Sequence, residues 1–302
     1  MMLTGVHVPL ITPFDRAGAV AFEVLEELAH QVLAAGAAGV VALGTTAEAG
    51  ALGAAERARV LDVLNTVCLR RGVPLIAGAN TAEDLRELAG HPAVTAALCL
   101  VPPFVRPGED GVVAHFAALA AVSPVPLVVY HVPHRTGQQL SARAVRRLAA
   151  IDAVTGIKYA PDAVDADAVD LLTDPPHRFA VLAGTDTLLS PMLALGAHGA
   201  IVASAHLATA RFVALANAWQ AGHADHARPL GHRLARLSTA LFAEPNPAVI
   251  KGVLHAQGLI PTPAVRLPLL PAAEANIGTA VQSLHDMRTS PARQPVGRAG
   301  PC

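Results

Sequence analysis

The chain has 302 residues, 53% of them hydrophobic, and its 22 basic and 23 acidic side chains leave a formal charge of −1. That length buries a large core in one or two domains, while the balanced charge excludes a basic nucleic-acid face and an acidic tail for a cationic partner. Three cysteines, Cys68, Cys99 and Cys302, are odd in number and far apart, which predicts a reducing cytoplasm rather than a disulfide framework.

The opening "MMLTGVHVPLITPFDR" has no basic region before its apolar run and is not expected to be a secretory signal. It carries the first of eight short apolar, β-branched runs: "GVHVPL" (5–10), "GVVALG" (39–44), "VPLIAG" (73–78), "TAALCLV" (95–101), "PLVVYH" (126–131), "AVTGIK" (153–158), "FAVLAG" (179–184) and "GAIVAS" (199–204). Between them run helix-like stretches such as "FEVLEELAHQVLAAG" and "AAERARVLDVLNTVCLRRG", with apolar residues three and four apart and a glycine at the end. The longest uncharged run, between Asp186 and Arg211, is long enough for a bilayer. Pro191, Gly196, Gly199 and two histidines divide it into helix, turn and buried strand, so no membrane partner is expected.

Strands that read as continuous apolar runs belong to parallel sheets covered on both faces. Eight βα units in one chain predict a closed α/β barrel of the (β/α)8 TIM type over 1–205. Residues 206–288 hold the last barrel helix and extra C-terminal helices. The Pro-, Gly- and Arg-rich stretch 289–302 is expected to be a disordered tail. The alternative, a doubly wound sheet, lacks a Gly-x-Gly-x-x-Gly turn after any strand.

In such barrels chemistry sits at the C-terminal ends of the strands. Lys158 closes the sixth run, Tyr130 the fifth, Thr45 and Thr46 follow the second, and "GTD" (Gly184 to Asp186) follows the seventh. Lys158 is one of only two lysines, Lys251 being the other; every other basic residue besides histidine is arginine. Arginine cannot deprotonate, so a nucleophilic amine must be lysine. A desolvated amine on the floor of an apolar barrel attacks a ketone and forms an iminium that acidifies the neighbouring carbon. Tyr130 then relays protons, and the hydroxyls and N–H groups of Gly44 to Thr46 hold a carboxylate. This chemistry describes a keto-acid aldolase or dehydratase acting on small-molecule substrates, with no cofactor.

Six motifs, "GTTAE" (44–48), "YHVPHRTG" (130–137), "GIKYA" (156–160), "AGTD" (183–186), "GAHGAIVAS" (196–204) and "LFAEPNPAVIKG" (241–252), resemble in order and spacing the dihydrodipicolinate synthase / N-acetylneuraminate lyase family of pyruvate-dependent class I aldolases. The likeness runs from about residue 5 to 271. It implies that Lys158 forms the Schiff base with pyruvate, that Tyr130 is the proton shuttle, that Thr45 and Thr46 bind the pyruvate carboxylate with Thr45 in the relay, and that Gly184 and the Ile201 carbonyl line the pocket. Arg135 would meet the carboxylate of an aldehyde such as aspartate semialdehyde, or else brace its loop through carbonyls. It also implies a homotetramer or homodimer. Thr45 and "EPNP" lean toward the synthase branch. A keto-deoxy sugar-acid aldolase or dehydratase is the alternative, and a pyruvate-binding barrel with little turnover a second.

The sequence departs from that family at Phe104, where synthases carry a tyrosine that reaches across a dimer to complete the proton relay. Ala47, His131 and Tyr159 replace a glycine, an asparagine and a glutamate, and "GANT" (78–81) is short. Ala49 and Pro103 replace residues that line the lysine-feedback site of regulated members, which predicts no inhibition by lysine. Among the remaining candidates, His131 and His134 are read as bracketing the barrel mouth, without a metal-binding pattern that joins them, and no metal is expected. His223, His226 and His232 are read as solvated, Asp186 as the cap of the following helix, and Lys251 as structural.

Overall fold

The structure, a computed structural model, describes residues 2–289; the stretch expected to be a disordered tail lies outside the described residues from 290 onward. Eight strands, β1 (Gly5–Pro9), β2 (Gly39–Ala42), β3 (Leu75–Gly78), β4 (Val94–Leu100), β5 (Leu127–His131), β6 (Val154–Tyr159), β7 (Ala180–Ala183) and β8 (Gly199–Ile201), form the barrel. All pair in parallel with their sequence neighbours, and β8 closes on β1 with Ala200 opposite Val6. The apolar runs 39–44 and 199–204 overshoot their strands because Leu43 and Gly44, and then Val202 to Ser204, already turn toward the next element.

Helices cover the outside. The segment Ala54–Arg71 starts where the Glu56 carboxylate accepts the Gly53 N–H at 2.9 Å and ends at Gly72, whose φ of +63° is the left-handed geometry that terminates helices. Phe22–Ala34 buries Leu25, Leu28, Ala29 and Val32, the three-and-four spacing of one face. After β8 come Ala205–Gln220 and three further helices, Ala224–Leu241, Ala248–Ala256 and Glu274–Thr289. None of the described helices is long and apolar enough to cross a membrane.

Alternation along each strand divides the core in two. Val41, Ile76, Leu98, Val128, Leu182 and Ile201 fill the inside of the barrel. Val40, Leu75, Cys99, Leu127, Val129, Ile157 and Val181 face the helices. Both layers are apolar, so the strands carry no polar face in sequence.

Candidate active site

On β5 and β6, Tyr130 lies directly opposite Lys158 in the parallel register. The alternation that sends Val128 and Val132 into the barrel takes Tyr130 with them, and Lys158 follows Gly156 and precedes the inward Ala160. Lys158 is 7% exposed, and its Nζ lies 4.2 Å from the centre of the Tyr130 ring. Room for the lysine stem comes from Gly184, at the end of β7, whose N–H donates to the Tyr159 carbonyl at 2.8 Å. A Cβ on Gly184 would stand 2.8 Å from Lys158 Cγ and 2.9 Å from Ala160 Cβ.

Above this pair opens a cavity of about 160 Å³. Thr45 and Thr46 border it on one side; Gly184, Thr185 and Asp186 border it on another, and Val132, Ala160 and Ala203 make an apolar wall. A wider cavity of about 580 Å³ adjoins it and shares Thr45, Arg135 and Asn246. Gly44 lines only the wider one. Ile201 is fully buried in the barrel interior, and the lining residue beyond its strand is Ala203. Thr45 and Tyr130 both border the smaller cavity, with no direct hydrogen bond between them. Arg135 stands exposed at the rim; its guanidinium makes no hydrogen bond to a carbonyl among the described residues, so it does not brace its loop.

Several residues sit elsewhere than their sequence context suggested. Asp186 does not cap the short helical turn it begins. Its Oδ1 accepts the Ser204 N–H at 2.6 Å, tying the loop after β7 to the loop after β8. Burial pushes its carboxyl above the ordinary carboxylate value, against the opposing pull of the Ser204 hydrogen bonds and of Lys158. The result is a buried acid on the cavity wall beside the amine, signalled in sequence only by its place two residues after Gly184. His131 does not bracket the mouth. One residue past inward Tyr130, it points to the helix layer, its ring centre 5.2 Å from that of Tyr159. Burial lowers its pKa to about 4. His134, by contrast, lies at the cavity, with Nδ1 2.9 Å from Asp162 Oδ1. His223, His226 and His232 are exposed.

Phe104 is 94% exposed, with φ of +71°, and does not reach the cavity of its own chain. Asn246, not singled out beforehand, lines both cavities, and its Nδ2 donates to Thr46 Oγ1 at 2.9 Å. Lys251 is fully buried, with Nζ 2.5 Å from Glu48 Oε1. No group of three or more histidine, cysteine, aspartate or glutamate side chains poised to hold a metal ion occurs among the described residues.

A closed (β/α)8 barrel with a buried lysine at the C-terminal end of its sixth strand, faced by a tyrosine on the fifth, defines a lysine-bearing barrel of the α/β class. The chain belongs to the dihydrodipicolinate synthetase family, whose sequence pattern matches residues 2–286. It is 34% identical over 278 residues to the 4-hydroxy-tetrahydrodipicolinate synthase of Neisseria meningitidis serogroup B, covering 90% of this chain and 94% of that one. With the enzyme of the same name from Methanothrix thermoacetophila it shares 36% over 282 residues, covering 91% and 94%. The solved structure of the chloride-inhibited dihydrodipicolinate synthase from Acinetobacter baumannii, complexed with pyruvate, superposes with a TM-score of 0.89 at 32% identity, covering 94% of this chain and 99% of that one.

Proposed function

We propose that this protein is a Schiff-base lyase of the 4-hydroxy-tetrahydrodipicolinate synthase type, which condenses pyruvate with an aldehyde such as aspartate semialdehyde. The observation that carries the reading is the buried amine of Lys158 held 4.2 Å from the Tyr130 ring beside the two threonine hydroxyls. The family membership and the named relatives support it.

In this reading the Lys158 amine adds to the keto carbon of pyruvate. A C–N bond forms, and the keto oxygen leaves as water after taking protons delivered through Tyr130. The iminium then acidifies the methyl group; loss of one proton gives an enamine whose carbon attacks the aldehyde carbonyl. Water finally cleaves the C–N bond and returns the free amine. Thr45 and Thr46 hold the pyruvate carboxylate, with the Thr45 hydroxyl in the proton relay, and Arg135 at the rim takes the carboxylate of the aldehyde.

We further infer a homodimer, paired into a tetramer. In support, Phe104 and Val105 stand 94% and 70% exposed on the loop that the family resemblance implies would reach into a neighbouring subunit. A cytoplasmic location fits the two described cysteines, Cys68 and Cys99, both free and buried.

The test is incubation with pyruvate, borohydride reduction and peptide mapping, followed by turnover assays with aspartate semialdehyde, N-acetylmannosamine plus pyruvate, and keto-deoxy-gluconate. Mass added at Lys158 and turnover with the first aldehyde are expected. Folded protein that acquires no mass would overturn the imine reading. Light scattering on a sizing column tests the assembly, and a monomer would overturn that part.

A further inference from the structure

The loop after β2 carries the two cavity threonines in a conformation that the backbone does not favour. Thr45–Ala47 make a single 3-10 turn, and Glu48 then adopts φ of +55° and ψ of +34°. A glutamate in the left-handed region costs on the order of 1 kcal/mol and persists only where its surroundings hold it. Here every residue from 46 to 48 has a holder. Asn246 Nδ2 donates to Thr46 Oγ1 at 2.9 Å, Thr12 Oγ1 donates to the Ala47 carbonyl at 2.7 Å, and Lys251 Nζ lies 2.5 Å from Glu48 Oε1. The other oxygen of Glu48 accepts the Arg266 N–H at 2.7 Å.

Lys251 is enclosed on all sides. Its Nζ also donates to the Ala264 carbonyl at 2.8 Å and stands 4.0 Å above the Phe14 ring, while the Arg266 guanidinium lies 4.5 Å from the same ring. Arg266 is itself fixed by a two-pronged pair with Glu56, both contacts at 2.6 Å. Such a pair is a poor device for stability alone, because well-packed apolar residues do as well or better, whereas its directional bonds fix one geometry. In a chain that uses arginine nearly everywhere, a compact ammonium at this spot has a steric reason. The ammonium meets Glu48, the Ala264 carbonyl and the Phe14 ring from a single point, at 2.5, 2.8 and 4.0 Å, whereas a guanidinium is larger, planar and five-donor.

We propose that Lys251 and Glu48 form a positioning pair which, with Asn246, lets the helical extension outside the barrel set the place and direction of the pyruvate-binding threonines. Because Thr46 Oγ1 accepts from Asn246, its own proton is free to point into the cavity and donate to a carboxylate. Lys251 thus acts through Glu48 on the loop and touches no substrate. This inference rests on the reading of pyruvate as the substrate held by Thr45 and Thr46.

The experiment is borohydride trapping across a pyruvate titration, together with kcat, KM and melting temperature, for the wild type, Lys251→Met, Lys251→Arg and the isosteric Glu48→Gln. Lys251→Met and Lys251→Arg are expected to raise the half-saturating pyruvate concentration at least tenfold while the trapped mass stays on Lys158. Glu48→Gln is expected to raise it by about threefold, with kcat changing less than KM in all three. Variants that trap at the wild-type pyruvate concentration, whether or not they melt lower, would leave the pair a purely structural brace and overturn the proposal. A wild type that traps nothing would instead overturn the Schiff-base reading itself, and this proposal with it.

Discussion

Tyr130 and Lys158 occupy matching positions on neighbouring parallel strands, and the lysine Nζ sits 4.2 Å from the tyrosine ring centre inside an otherwise apolar barrel. The pairing follows from register and alternation alone, since one strand places each residue and the twofold period sends both inward. Tyr130→Phe preserves the ring under the amine and removes only the hydroxyl proposed as proton carrier, so turnover is expected to fall by about 10²- to 10⁴-fold while pyruvate still traps on Lys158. Lys158→Arg is expected to abolish trapping. Mass spectrometry after borohydride separates the two, and a fully active Tyr130→Phe would remove the tyrosine from the relay.

Gly184→Ala tests the space beside the amine. The added methyl meets Lys158 Cγ at 2.8 Å and Ala160 Cβ at 2.9 Å, distances that force the lysine stem aside. Overpacking of this kind costs about 1–3 kcal/mol, and a displacement near 1 Å at a reacting group lowers rates about 10²-fold. The expected outcome is a folded protein with a melting temperature lowered by several degrees and turnover down by about that factor. Unchanged turnover would show that the amine tolerates the shift.

Three deeply buried histidines weaken the fold in acid. His7 hydrogen-bonds through Nε2 to the Thr4 carbonyl, and His206 accepts the Ile11 N–H on Nε2. His131 has no partner on either nitrogen. Burial lowers all three from 6.5 to about 4. Between those values the unfolded chain binds more protons than the folded one, so stability is intact above pH 6.5 and is lost as the pH falls toward 4. Each ring contributes on the order of 3 kcal/mol to that loss, and three together rival the whole stability of a typical domain. Melting temperatures are expected to drop steeply from pH 6.5 to 4.5. His131→Phe, which sacrifices no hydrogen bond, is expected to melt above the wild type at pH 5; a lower melting point would contradict the assignment.

Free lysine is expected to leave the initial rate unchanged at millimolar concentration. Ala49, which lines a cavity of about 190 Å³ with Asn80, Asp84 and Glu87, and Pro103 stand where the family resemblance implies hydroxyl-bearing side chains in lysine-regulated members. Two lost hydrogen bonds at about 1 kcal/mol each weaken binding roughly thirtyfold. Initial rates measured across a lysine titration decide it, and ordinary inhibition at millimolar lysine would show that the pocket recruits other groups.

What could be read from the chain alone were the features with a local signature. Parallel strands buried on both faces appear as apolar runs with helix-period segments between them, so the eight βα units and the nucleophile candidate at the sixth strand end stood out. The scarcity of lysine marked Lys158, because only lysine supplies a free amine. The direction of each side chain was not readable for the same reason that the strands were. Where both faces of a strand are apolar, no pattern tells inside from outside, and only closure of the barrel turned Tyr130 inward and His131 toward Tyr159. Likewise Asp186 reads locally as a helix cap, yet its partner is the N–H of Ser204 on the next loop. Glu48 and Lys251 stand 203 positions apart. A contact between segments that distant leaves no period or spacing in sequence, so only the tertiary structure, by packing the outer helices against the barrel mouth, could bring the second lysine to the loop that carries Thr45 and Thr46.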